Sequence, residues 1–222
     1  MVNMESGVLD IINTITRDVE EVNIVLKEKD SVREEIIRLS REIIRLSSSL
    51  ISNVHANNHE NARLDLARIK DFVNKLLDLI ENHHDLKYTG LTYNALSEFV
   101  EAHLFYSIVV EGRVPTINEL KVPIVPYLQG LGDLIGELRR LVVRLLDNLR
   151  IDEAEKYLTI MEAIYGCLRV LDYPDPLIPG VRHKVDVASR LIEDTHVLVL
   201  NTKNSIRCIE RSGQRPQETR LC

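Results

Sequence analysis

Leucine, isoleucine and valine recur at three- and four-residue spacing from Val8 almost to Ile209, while glycine and proline cluster at a few points. That period follows the helical turn and predicts an all-α chain. A first helix is expected over about Glu5–Lys27. A second follows over Ser31–Val54, with Ser31 as N-cap and Glu34 completing a capping box. "HANNH" breaks the pattern, a third helix covers Asn61 to about Asn82, and "HHDLKYTG" reads as a loop. Thr92–Glu111 forms the next helix, "EGRVPT" interrupts it, and Thr116 caps a short helix through Glu119. Pro123 and Pro126 flank the start of a long helix reaching Leu149, and Asp152 begins another that ends near Leu171. "DYPDPLIPG", with three prolines, cannot stay helical. A final helix extends from Val181 to about Ile209. The expectation is a single-domain bundle of about seven helices over residues 1–210, followed by a polar, frayed tail over 211–222.

One segment departs from this amphipathic pattern. In "SEFVEAHLFYS", Glu98 and Glu101 share one 60° sector of a helix whose other directions are almost all apolar, and a helix apolar all round is a buried one. A second acidic pair lies in "YLQGLGDLIGELRR", where Asp133 and Glu137 face the same way at i and i+4. Like charges so placed cost a few tenths of a kcal/mol, a sign that a bound cation would reverse. Arg140 and Arg144 extend that line, whereas Gly132 and Gly136 occupy another side and suggest close approach of a neighbouring helix.

Two readings of the acids stay open. Both pairs could belong to wetted faces, with Glu137 and Arg140 as an exposed ion pair. Alternatively, four carboxylates from two packed helices suit a hard divalent cation, Mg²⁺ or Mn²⁺. A di-iron centre needs Glu-x-x-His, which neither Glu98 nor Glu101 supplies. His55 and His59 have metal-ligand spacing, but "NVHANNHE" reads as a solvent-facing loop without a third ligand.

The net charge of −6 offers an anionic ligand no general attraction, so a nucleic acid would need a local basic surface. Arg38, Arg41 and Arg45 form such a line opposite Ile36, Ile43 and Leu50, although a solvated face pairing with Glu34 and Glu42 has the same pattern. No aromatic side chains interleave to stack bases. Cys167, Cys208 and Cys222 show no CxxC spacing and read as incidental thiols. Neither a membrane-spanning apolar run nor a signal peptide is visible, so a cytoplasmic protein is expected.

The two acidic segments together resemble the translin family, and within it the nuclease-competent translin-associated factor X branch. That branch carries "EYVEA" in one helix and "YLxGxxDLxGELxR" in a later one. Here they read "EFVEA", Glu98 to Ala102, and "YLQGLGDLIGELRR", Tyr127 to Arg140. "RLSREI", Arg38 to Ile43, and more loosely the last helix extend the similarity over about Ser31–Ile209. The chain departs from it with Pro126 before Tyr127.

The resemblance implies a seven-helix bundle in a hollow octamer, built from this chain alone or with a translin-like subunit. It implies binding of single-stranded RNA or DNA and Mg²⁺-dependent endonucleolytic cleavage of RNA. Glu98, Glu101 and Asp133 then correspond to the family's catalytic, metal-holding acids, with Glu137 adjoining them as a water-orienting group. Arg38, Arg41, Arg45, Arg140 and Arg144 would position the strand through its phosphates. The alternatives are a non-catalytic nucleic-acid-binding shell, as in translin, and a helical scaffold with neither property.

Overall fold

The computed structural model describes residues 2–83 and 90–213, with side chains over 7–83 and 90–208. Seven α-helices are present among them and no strand: α1 Val2–His55, α2 His59–Asn82, α3 Gly90–Tyr106, α4 Ile117–Leu120, α5 Ile124–Asp147, α6 Ile151–Leu168 and α7 Val181–Gly213. Residues 84–89 of the expected "HHDLKYTG" loop and 214–222 of the expected tail lie outside the described residues.

The expected break after Lys27 is absent, and α1 is one helix of 54 residues. The reason is local: "KEKDS" contains neither glycine nor proline, and Ser31 and Glu34 are tolerated inside a helix when nothing forces an end. Its real end comes at His55, where Asn57 takes a left-handed φ of 58° and the Asn58 side chain caps the start of α2. The cap expected at Thr116 is present, and Glu119 completes a capping box there. The long helix α5 begins at Ile124, so Pro126 falls in its first turn, where no intrahelical N–H is required. The last helix runs past the expected Ile209 to Gly213.

The core is one continuous cluster: Leu39, Ile43 and Leu50 of α1 meet Ile69 and Leu76 of α2, Leu96 to Phe105 of α3, and Leu134, Ile135 and Leu138 of α5. Helix α3 sits at its centre, in contact with α1 on one side and α5 on the other. From Ala95 to Ile108 all but Glu98 is buried, which fulfils the prediction of a helix wrapped on every face. The helix then widens into a π-helical turn over Ser107–Glu111 and stops at Gly112, whose left-handed φ of 69° is strain-free only for glycine.

Candidate metal and nucleic-acid site

The acids of α3 and α5 are brought together by glycine. A Cβ at Gly130 would stand 2.7 Å from the Val100 Cβ and 2.8 Å from the Ser97 carbonyl oxygen, so the two backbones pass at a separation that no larger residue permits. The close approach expected at Gly132 is also present, but the neighbour is a side chain, Lys184 of α7, whose Cβ lies 2.8 Å from the Cβ position of Gly132. At Gly136 the expectation fails. Among the described residues, no atom comes within 4 Å of its Cβ position.

Packed this way, the carboxylates of Glu98, Glu101, Asp133 and Glu137 act on one another. Burial, then the negative charges of Asp133, Glu98 and Glu137, push the Glu101 carboxyl up to about 9, so it holds its proton at neutral pH. Glu101 is only 9% exposed. The half-buried Glu98 is raised for the same reasons, burial first and Asp133 second. These acids therefore do not lie on a wetted face.

Two cationic or donor groups offset part of the charge. The Lys184 ammonium donates to both oxygens of Asp133, at 2.5 and 2.6 Å. His55 Nε2 lies 2.6 Å from Glu137 Oε2, and with Arg140 at 3.7 Å it holds the Glu137 carboxyl below its ordinary range, the histidine hydrogen bond contributing most. His55 is 5% exposed and rests against Phe105 at a ring separation of 4.8 Å. The solvent-facing role expected of it is corrected: α1 continues to His55, and the core stripe through Leu50 and Val54 turns the ring inward. His59, one short turn later, is exposed as expected.

Among the described residues, no three Asp, Glu, His or Cys side chains are gathered closely enough to form a metal-ligand set as they stand. The structure thus concentrates carboxyl groups at this place, while both Asp133 oxygens are engaged by Lys184 and Glu137 Oε2 by His55. Four hard oxygen donors, one of them raised by burial and by its acidic neighbours, fit Mg²⁺ or Mn²⁺ in donor chemistry.

The arginine line of α1 is exposed. Arg38 forms a two-pronged ion pair with Glu35, and Arg45 binds Glu42, each at i,i+3 on the same helix. Arg140 and Arg144 are exposed as well. Lys184 and Gly130 escaped the sequence reading: nothing in "VRHKVD" marks a buried partner for an acid on another helix. Gly130 could have been found, since a glycine inside a helix costs about 1 kcal/mol relative to alanine and asks for a packing reason.

The sequence matches the Translin family over residues 31–195. An uncharacterized protein of Methanocaldococcus jannaschii is 34% identical over 176 residues, which is 77% of this chain and 76% of the relative. Among solved structures, AfC3PO superposes with a TM-score of 0.78 at 31% identity, covering 84% of this chain and 97% of the other. AfC3PO in complex with duplex RNA gives the same TM-score of 0.78 at 30% identity, with coverage of 84% and 97%. Apo-NeC3PO shares the fold, with a TM-score of 0.77 at 22% identity over 83% and 96%. The region that matches contains both acidic helices and the arginine line, and the chain belongs to the Translin family.

Proposed function

We propose that this chain binds RNA and cleaves it as a metal-dependent endoribonuclease, with Mg²⁺ or Mn²⁺ held by Glu98, Glu101 and Asp133. The observation that carries the reading is the Glu101 carboxyl. An acid forced up to about 9 by burial first and by three other acids after it is costly to the fold, and a bound cation would lower that cost. A divalent cation bound there would neutralise charge building on a phosphate and lower the pKa of a coordinated water. Glu137 is the group suited to take a proton from such a water. It is ionised at neutral pH and held through Oε2 by His55. Lys184, which sits on Asp133, would be exchanged from that carboxylate toward a phosphate oxygen. Arg38, Arg41, Arg45, Arg140 and Arg144 would hold the strand by its phosphates with little regard for sequence.

RNA as the ligand is supported by the likeness to AfC3PO, which has been solved with duplex RNA. Single-stranded RNA as substrate, and assembly as a closed octamer of this chain or with a translin-like subunit, complete the proposal. Its test is digestion of single- and double-stranded RNA with Mg²⁺ and with EDTA, comparing the wild type with Asp133→Asn. The expected result is Mg²⁺-dependent cutting that Asp133→Asn abolishes while RNA binding survives. Equal cutting by both proteins would overturn the assignment.

A second reading, RNA binding without cleavage, is favoured by one observation: both Asp133 oxygens are already taken by Lys184. It predicts salt-sensitive binding of RNA, or of single-stranded DNA, and no cutting with either metal.

A further inference from the structure

The first half of α1 is the one long element that the site and the core do not use. Residues 7–28 are exposed throughout, and the Translin family match begins only at residue 31. A helix of 54 residues is about 80 Å long, so roughly half of α1 projects beyond the bundle.

Its apolar residues have the spacing of a helix seam. Val8, Ile12, Ile15, Val19, Val22 and Leu26 alternate at four and three residues, the a and d positions of a heptad sustained over its whole length. The sequence reading saw an amphipathic helix here and assigned it no task. The same register runs on through Ile36, Ser40, Ile43, Ser47, Leu50 and Val54, so the stripe prolongs the face that α1 turns to its own core. Over residues 7–28 no described residue of this chain covers that face, and its partner comes from outside.

We infer that residues 8–26 form a coiled coil with the same segment of further copies of this chain. Three features select that occupant. The first is charge. Among the flanking e and g positions, Leu9, Ile11, Thr16, Asn23 and Val25 are uncharged and only Asp18 carries charge, so identical copies meet without like-charge repulsion. The second is area. The six seam residues with Leu9, Ile11 and Val25 are each 51–61% exposed. Covering them removes on the order of 800 Å² per chain, the share of one partner in a standard stable interface. The third is the composition of the polar face: Asp10, Asp18, Glu20 and Glu21 against Arg17 alone, the wrong sign for an anionic membrane or for RNA. β-Branched residues at most a and d positions, with apolar e and g flanks, favour more than two strands.

The test is hydrogen exchange and light-scattering mass on the full chain, independent of any nuclease assay. Residues 8–26 should be protected in the wild type, since an isolated helix of this length is marginal in water. In Ile15→Asp/Val19→Asp the protection should vanish and the mass should fall or become concentration-dependent, while residues 36–54 stay protected as before. Val22→Cys, in a chain with Cys167, Cys208 and Cys222 replaced by serine, should form a disulfide between chains on mild oxidation. Rapid exchange of residues 8–26 in the wild type overturns the inference, as does protection that survives the double substitution. Protection without the inter-chain disulfide overturns parallel, in-register pairing with a second copy.

Discussion

The acid cluster of α3 and α5 and the arginine line of α1 carry similar numbers of like charges at helical spacing, yet they behave differently. Arg38 and Arg45 stand in water and are each answered by a glutamate three residues earlier on the same helix. Such pairs are screened by water and constrain nothing distant. Glu98, Glu101, Asp133 and Glu137 are drawn from two helices into a region where burial is the largest influence on Glu98 and Glu101, and their ionisation is linked. Spacing along a helix is the same information in both cases. Solvent decides whether it becomes chemistry.

The largest effect that would break this contrast is on catalysis. Glu101→Gln should abolish Mg²⁺-dependent RNA cleavage, whereas Arg38→Ala with Arg45→Ala should leave the cleavage rate at saturating RNA unchanged. Loss of cutting in the arginine variant and not in the acid variant would reverse the assignment.

Stability sharpens the same contrast. In the folded chain Glu101 keeps its proton up to about 9, while the unfolded chain releases it near the ordinary value of 4.5. Across that window the unfolded state binds fewer protons, so metal-free stability falls as pH rises through it. Glu101→Gln should therefore be more stable than wild type at pH 8 by roughly 2–5 kcal/mol, with little difference at pH 4, as read by urea denaturation. Equal pH slopes for the two proteins would place Glu101 in contact with water.

Gly130→Ala comes next. Its Cβ would meet the Ser97 carbonyl and Val100, so the helices must separate, at about 1–3 kcal/mol. Gly136→Ala, facing open space on the same helix, should instead stabilise by up to about 1 kcal/mol. Lys184→Met should raise the Glu101 carboxyl further, because the positive charge of the ammonium lowers it, and carboxyl NMR titration would register the change. The smallest effect belongs to the exposed pairs. Arg38→Ala and Arg45→Ala should each leave stability nearly unchanged and reduce the slope of log RNA affinity against log salt by about one.

Much of this molecule was legible in its sequence. The period of leucine, isoleucine and valine gave the helices, the proline run at Pro174, Pro176 and Pro179 gave the long connection before α7, and the all-round apolar pattern around Glu98 gave its burial. The failures share a physical cause. Ser31 and Glu34 have the chemistry of a helix start, but a start needs a preceding stop, and "KEKDS" supplies none. His55 was read from its polar neighbours Asn57 and Asn58, although the packing of Val54 decided its direction. Lys184 meets Asp133 across two helices distant in sequence, a proximity that no local period encodes.

That meeting has a consequence for how the chain matures. Every acid of the cluster is synthesised before Lys184, which arrives on α7, downstream of them all. Until α7 docks against Gly132, a nascent bundle holds its acids with no ammonium to answer Asp133. Closure of α3 on α5 is therefore weakest in the unfinished polypeptide, and a message truncated ahead of Val181 would yield a product whose most polar interior is left for solvent, or for a passing metal ion, to fill.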